Sequence, residues 1–507
     1  MPMTSANFYK NERLKIFVLI CLVFLAYAPV FQAPFKTMDD QLAIVHNEKV
    51  HDLSQWPDLF KSSYFGIGDY YRPIVFLSYM LSYHFFGLNP LGYYLVSLIL
   101  HAITAILVYR LVSVFFEKGS ISFFAALLFA VHPIQWVAVS TLTGQNVLLY
   151  GSFYIASFLS FYHFLKSKKP ALYAGSLILF VLALLSRETA FTLPFLLGSY
   201  IMLFRPSASR KKDAQWITGH AVILIVYFIF RKASGFLFLL EQKRSLAEIA
   251  LSFLTFLKSL LVGLGLIFWP VDLHFDRSTQ VFSSFTQGQL IATAVVFMLT
   301  AVLIIQNRKK IPKVTLFFIF WIIMDLLPVS QLIAPIRIQP GYISTGDHMF
   351  YVSSVGILVL LVSFIIDQRE KLAKKISISP NIGRFFLAGV MLFWFFATLK
   401  QSIISSSDLA LHRQTLAYAP YNMRIRRSYT ASLREYGLFE EAEQQYRILL
   451  QQDPLNVEFR ISLGKSLVDQ GKIKEGIEEY EKIQNPGIFA DLLKDNLEKA
   501  KKLLRKR

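Results

Sequence analysis

Apolar runs recur along this chain from near its start to about residue 403, and nothing else limits its fold as tightly. They occupy residues 14–30, 91–116, 121–133, 144–165, 170–186, 189–204, 216–231, 249–270, 287–306, 314–328, 349–367 and 384–403. A helix that crosses a bilayer needs about 20 residues, and many of these runs are near that length. Only 17% of residues are charged, where a soluble chain carries about a quarter. Forty-seven phenylalanines suit helices packed in lipid better than one compact soluble core. The expectation is an all-α, polytopic transmembrane bundle over residues 1–403.

The net charge of +19 could serve nucleic acid or a membrane face. Its distribution decides. Lys and Arg cluster in short segments between apolar runs, at Arg205–Lys212, Arg308–Lys313 and Arg369–Lys375. That is the positive-inside pattern, so no nucleic-acid partner is expected. The first run follows Lys10, Arg13 and Lys15. It reads as a retained anchor, since Pro29 directly follows the cleavage-like Ala26-Tyr27-Ala28. The lone cysteine, Cys21, builds no disulfide framework.

Loop charges order the crossings. The N-terminus is inside and residues 31–72 form a first outer loop. Lys166, Lys168 and Lys169 are inside, with three crossings between. Residues 73–86 are then left to lie on the outer interface as an amphipathic helix, with Tyr71, Arg72 and Tyr79 at headgroup level. Arg205–Lys212 and Arg308–Lys313 both read as cytoplasmic although three runs separate them. One of the three should therefore fail to cross, or one crossing is hidden, with 232–270 the suspect stretch. Residues 329–348 return outside and 368–383 inside. About eleven crossings put the C-terminus outside, beyond a neutral linker at 404–419.

The remainder, 420–507, repeats every 34 residues. Pro420 and Pro454, Asn422 and Asn456, Gly437 and Gly471, and Tyr446 and Tyr480 all stand at that offset. Ala442 answers Gly476, one small residue for another. Thirty-four is the tetratricopeptide period: Gly ends the first helix, a small residue lets the second approach, and Pro opens the next unit. Residues 487–507 read as a polar capping helix. Its basic end (Lys501, Lys502, Arg505, Lys506, Arg507) reads as solvated.

Polar residues sit beside the membrane runs. The first outer loop carries Asp39 and Asp40. Such a pair can cap a following helix or offer a general base at the membrane surface. Arg72-Pro73 opens the interfacial helix, and His132-Pro133 ends a run. Gln145 and Asn146 begin the next run, Arg187-Glu188 splits two others, and Asp347-His348 precedes another, with Tyr351 after it. Ionisable groups at membrane depth are expensive and functional by default. Each has a bland reading, as a backbone partner or a self-neutralising pair. The topology places all of them on one face, which favours a shared pocket.

In this order, Asp39-Asp40, Ile44, Asn47, Tyr71-Arg72-Pro73, His101, His132-Pro133, Gly144, Arg187-Glu188 and Tyr351, followed by the tandem repeats, the chain resembles the transmembrane-and-tetratricopeptide-repeat O-mannosyltransferases. These belong to the GT-C superfamily of polyprenyl-phosphate-sugar-dependent glycosyltransferases. The resemblance implies a GT-C-like membrane domain with an extracytoplasmic site, a polyprenyl-phosphate sugar donor and an acidic pair in the first outer loop. Carried over, Asp39 and Asp40 are that acidic pair; as the general base of the expected reaction Asp40 is slightly preferred. Arg72, His132, Arg187 and Glu188 would line the site by the same carry-over, and Gln145, Asn146, Asp347 and His348 join them, from their place on the same face, as candidates for binding donor phosphate or substrate. The chain departs where such families often show Gly-Arg-x-Glu, having Gly144-Gln145-Asn146-Val147. It also departs where a Glu-Arg pair precedes the Tyr, having Asp347-His348. Both departures bear on the sugar and the acceptor.

The implied reaction is a single inverting displacement. Phosphate leaves without a general acid, unlike glycoside hydrolysis, and one Asp takes the acceptor hydroxyl proton. The acceptor is a protein or glycan held by the repeat domain. A divalent metal on the Asp pair stays an open question. The setting expected is a bacterial plasma membrane, or the endoplasmic reticulum if the source is eukaryotic. Two rival readings stand beside this one: a ligase or polymerase of lipid-linked oligosaccharides, and a transporter or scaffold displaying a repeat domain.

Overall fold

The computed structural model describes residues 11–37, 39–61, 63, 70–236, 243–333, 336, 341–376 and 382–506, except for the side chains of 369–384. Lys10, Met38, Arg507 and the side chains of the Arg369–Lys375 cluster lie outside the described residues. The chain divides into two compact units. One comprises residues 1–35, 39–273 and 277–406, and the other residues 36–38, 274–276 and 407–507.

The first unit is helical, and the chain is a multi-pass membrane protein. Among the described residues, seven helices are long and apolar enough to cross a bilayer. Gly119–Val131 and Pro133–Ser140, bent by 50°, form an eighth if taken as one. Four shorter apolar helices accompany them: Pro73–Phe86, Pro170–Ser186, Glu188–Phe204 and Ser353–Gln368. The three helices between the basic clusters at 205–212 and 308–313 all pass the test, including Leu246–Phe268 from the suspect stretch.

Local chemistry sets the helix ends. Pro73, Pro90 and Pro170 each stand first in a helix, where a missing N–H costs nothing. Ser245 and Glu248 close a reciprocal capping box at the start of Leu246–Phe268. The 50° bend falls at His132-Pro133, because proline removes a helical donor and disfavours helix in the residue before it.

Burial ranks the helices. In the most apolar 18-residue window of Leu142–Ser167, 78% of residues are buried, against 11% for Gly288–Asn307. The first is the axle of the unit, and the second turns most of its surface outward. Lipid tails are as apolar as leucine, so helices associate here through close packing. Phe115, Phe158, Tyr200, Phe204, Phe317 and Trp321 interlock ring against ring, with Phe115 and Phe317 centred 4.8 Å apart. Gly151 lies against the Tyr351 ring so closely that a Cβ there would fall 2.9 Å from it.

A two-stranded antiparallel ribbon pairs Ser278–Gln280 with Tyr342–Ser344, Thr279 opposite Ile343. It matters because it brings Arg277 beside residues 345–347.

The second unit repeats its contacts as well as its sequence. Asn422 and Asn456 cap Met423–Glu435 and Val457–Asp469, accepting from Ile425 N–H and Phe459 N–H at 3.0 and 3.1 Å. Arg426 and Arg460 each donate to the carbonyl of the proline six residues earlier, at 2.5 and 2.6 Å. Gly437 and Gly471 turn each helix into the next at φ +72° and +83°, a region glycine enters without steric cost. Tyr446 and Tyr480 are buried at equivalent places. The Ala490–Lys506 helix lays Leu493, Leu497 and Ala500 against the Ile461–Ile473–Ile477 cluster. Asp408–Tyr418, inside the stretch expected as linker, is helical and belongs to this unit. Its composition is neutral, but Ser407 caps it and Leu411 is fully buried.

Candidate active site

Among the described residues, the stretch 39–61 is a chain of short helical turns rather than an open coil. Turns at Gln41–Val45, Glu48–Val50, Leu53–Gln55 and Trp56–Leu59 lead toward the Pro73–Phe86 helix. His51 ties them down, its Nε2 2.8 Å from the Ile44 carbonyl and its ring stacked on Tyr83 at 4.1 Å. Asp39 and Asp40 head the first turn. Asp40 is buried, and it stands where a cap residue would, yet its side chain makes no capping hydrogen bond to that turn.

Three of the residues expected in the site are spent on architecture. His132 is fully buried, with both ring nitrogens engaged. Nδ1 accepts from Ile134 N–H at 3.0 Å, so Nε2 carries the proton and donates to the Ile267 carbonyl at 3.0 Å. Its ring lies against Trp394, and it stabilises the bend it occupies. Gln145 accepts from the Ser78 hydroxyl and donates to the Tyr93 carbonyl and Ser97 Oγ, at 3.0 to 3.1 Å. Asp347, 1% exposed, accepts from Arg277 Nε at 2.9 Å and from the Trp136 indole at 3.2 Å. Burial of a charge is tolerable when it is paired and bonded in this way.

Arg72, Glu188, Asn146, Arg187 and His348 come together, whereas Asp39 and Asp40 do not line the cavity. Arg72 grips Glu188 with two parallel bonds, Nε to Oε2 at 3.1 Å and Nη2 to Oε1 at 2.7 Å. Such a fork holds both groups in one plane. Arg72 also lies over the Tyr70 ring, 4.7 Å from its centre. The Glu188 carboxylate feels Arg231 and Arg187 as well. Arg187 is 7% exposed, and among the described residues its only hydrogen bond runs from Nη1 to Asn146 Oδ1, at 3.0 Å. Asn146 is fixed in turn by donating to the Thr143 carbonyl at 2.6 Å. Four N–H donors of a buried guanidinium are therefore left over, and Arg187 helps line a cavity of about 10 Å³ together with Thr189, Tyr150, Asp325, His348 and Tyr351. The space is about that of one water.

The cavity lining sets one cation, Arg187, against one acid, Asp325, and His348 lies beside them. Burial first, then the charges of Arg187 and Arg72, hold the His348 imidazole down at about 3. It is neutral at any physiological pH. Tyr351 is held by His101, whose Nε2 donates to the Ala130 carbonyl at 3.1 Å, leaving Nδ1 to accept the tyrosine hydroxyl at 2.8 Å.

Three contributors escaped the sequence reading. Asp325 ends the Lys313–Leu326 helix and accepts from the Tyr150 hydroxyl at 2.7 Å. A lone acid inside the apolar run 314–328 was the available signal. Tyr150 hides among other aromatics of a buried helix. Arg277 lies in a loop and finds Asp347 only through the ribbon. Among the described residues, no three His, Cys, Asp or Glu side chains gather as a metal site requires.

Residues 72–230 match the dolichyl-phosphate-mannose-protein mannosyltransferase family. The match starts at Arg72 and takes in Asn146, Arg187 and Glu188. The chain is 24% identical to protein O-mannosyl-transferase F38B6.6 of Caenorhabditis elegans, over 87% of its own length and 63% of that protein's. It is 24% identical to human protein O-mannosyl-transferase TMTC1, over 89% of this chain and 56% of the relative. Over a shorter stretch, 26% of this chain and 15% of the relative, identity to mouse TMTC3 reaches 35%. The chain thus spans less than two thirds of the curated relatives it matches. An archaeal oligosaccharyltransferase, AglB of Archaeoglobus fulgidus in complex with an inhibitory peptide and a dolichol-phosphate, aligns at 15% identity and a TM-score of 0.42, covering 80% of this chain and 56% of that one. The resemblance to the O-mannosyltransferases, read from scattered polar residues and the repeats, is found again by these comparisons along most of the chain.

Proposed function

We infer that the chain is a membrane glycosyltransferase that moves a sugar, mannose by family likeness, from a polyprenyl-phosphate donor to a hydroxyl of a protein or glycan. The observation that carries this reading is Arg187: a buried guanidinium with unspent donors, held by Asn146, lining a small cavity. Its natural complement is a phosphate that gathers charge as the sugar departs. Donors fixed in advance at the site of developing charge act most strongly where water is excluded. Arg72, locked on Glu188, adds to the same field.

The chemistry is one displacement. The acceptor oxygen forms a bond to the anomeric carbon, and the bond from that carbon to the phosphate oxygen breaks. The bonding electrons leave with polyprenyl phosphate, and the hydroxyl proton goes to a carboxylate of Asp39 or Asp40. Inversion at the anomeric carbon follows. The second unit, a tetratricopeptide-like array, would hold the acceptor, and the site would face the extracytoplasmic side, of a bacterial plasma membrane in the reading preferred here.

The test is transfer of tritium-labelled mannose from polyprenyl-phosphate mannose to membrane protein, comparing wild type with Asp39→Asn and Asp40→Asn at equal amounts of folded chain. Loss of label in either variant supports the base. Full transfer in both would make the pair a structural feature of the loop and sink this mechanism.

A further inference from the structure

Arg187 and Asp325 are the cation and the acid of one cavity, and both are buried, at 7% and 6% exposed. Two other buried pairs in this unit clasp each other directly. Arg72 forks onto Glu188, and Arg277 Nε meets Asp347 at 2.9 Å. Arg187 and Asp325 do not. Among the described residues no ion pair or hydrogen bond joins them, and Asp325 accepts instead from the Tyr150 hydroxyl at 2.7 Å. Each still feels the other's charge through space.

One helix holds them both. Asn146 and Tyr150 stand four residues apart on Gln145–Ser167, a spacing that puts both side chains on one helix face. Asn146 Oδ1 accepts from Arg187 at 3.0 Å, and the Tyr150 hydroxyl donates to Asp325. The same face therefore holds the cation with one residue and the acid with the other. A second contact fixes the arrangement one turn further along. Tyr154 meets Trp321 edge to face at 5.7 Å, and the Trp321 indole donates to the Val352 carbonyl at 2.9 Å. Trp321 precedes Asp325 by four residues on Lys313–Leu326, so the two helices meet at two successive turns.

The separation has a use. A buried guanidinium is costly without a counter-charge. A carboxylate bonded to it would supply one, but would also take up to two of its donors and cancel the charge a phosphate needs. A carboxylate held at a distance offsets part of the cost and takes no donor. We propose that Tyr150 is a positioning residue that holds Asp325 off Arg187, giving the guanidinium a counter-ion before the donor binds and open donors when it does. This rests on the reading that Arg187 takes the donor phosphate. The cavity, about 10 Å³, has room for about one water, and hence for one phosphate oxygen. Freed from Tyr150, the carboxylate would close on Arg187 and compete with that oxygen for the same donors.

The experiment measures the dissociation constant of polyprenyl phosphate for the full chain in lipid nanodiscs, by microscale thermophoresis. The midpoint of thermal unfolding without ligand is read alongside. Tyr150→Phe is expected to weaken binding about 10-fold, the scale of one lost hydrogen bond to a charged group, with the midpoint near wild type. Asp325→Asn keeps an acceptor for Tyr150 but removes the charge, and it is expected to tighten binding and lower the midpoint. Adding Asp325→Asn to Tyr150→Phe is expected to restore binding to at least the wild-type level, a rescue that a packing role for the tyrosine ring would not give. Unchanged binding in Tyr150→Phe overturns the proposal, as does weakened binding that the second substitution fails to restore. Should Tyr150→Phe fold poorly, Asp325→Asn decides alone, and binding no tighter than wild type overturns the proposal. Arg187→Gln separates this proposal from the reading beneath it. If that variant binds polyprenyl phosphate as tightly as wild type, the phosphate reading falls and the proposal with it. If it weakens binding while Tyr150→Phe does not, only the role of Tyr150 is overturned.

Discussion

The bend around His132 and the cavity around Arg187 both bury polar side chains, yet they use them in opposite ways. At the bend, each polar atom that was expected to do chemistry already has a protein partner. His132 has both nitrogens engaged, Gln145 makes three hydrogen bonds, and Asp347 splits its oxygens between Arg277 and Trp136. At the cavity, Arg187 makes one hydrogen bond among the described residues and keeps the rest of its donors. A satisfied buried polar group specifies shape. A buried charge with donors to spare can take a further partner. Polarity near a membrane therefore does not distinguish architecture from chemistry, whereas counting unspent donors does.

The largest effect that would sharpen this contrast is Asp347→Ala. Among the described residues it leaves buried Arg277 with Asp272 alone as ion-pair partner, and breaking a buried pair costs about 3–5 kcal/mol. The expected outcome is a strong loss of folded protein, read as a lowered midpoint of thermal unfolding in detergent. A variant that folds normally but loses transfer would move Asp347 from architecture to chemistry and break the comparison.

Next comes Arg187→Lys. Lysine keeps the charge but cannot hold Asn146 and grip a phosphate together through one planar fork. Transfer is expected to fall about 100-fold, the range for losing a preorganised donor, while the unfolding midpoint stays close to wild type. Equal loss of stability and activity would make Arg187 another structural strut.

The smallest effect concerns pH. His348 titrates at about 3 in the folded chain, held down by burial and by Arg187 and Arg72, against about 6.5 when unfolded. Between those values the unfolded chain binds the extra proton, so this group makes stability rise with pH across that window and contributes no slope above it. The rate of transfer between pH 5 and 8 should carry no inflection from His348, and His348→Gln should leave the profile's shape unchanged. An inflection near 6.5 abolished by that substitution would mean His348 is not buried beside Arg187 as described.

Much of the fold was legible because its signals are local. Apolar length marks membrane helices, proline at a first position marks their starts, and the offsets of Asn422 and Asn456 or Gly437 and Gly471 mark caps and turns that recur in space. The convergence of Arg72, Glu188, Asn146 and Arg187 was legible too, since charges are rarely placed beside membrane runs without cause. Asp325 was not singled out, although an acid in an apolar run was there to be noticed. The stretch expected as a linker, 404–419, looked featureless because its helix is stabilised by burial of Leu411 and not by composition.

By itself the sequence determined a multi-pass helical chain, a 34-residue repeat and a set of polar residues near the membrane face. Only the tertiary structure decided which of those residues still had hydrogen-bonding capacity. The reason is physical. Periodicity and capping are carried by residues a few positions apart, whereas the partners of His132, Asp347 and Thr37 lie 135, 70 and 371 residues away. No pattern along the chain encodes those distances. They are set when the helices pack and each buried donor must find an acceptor.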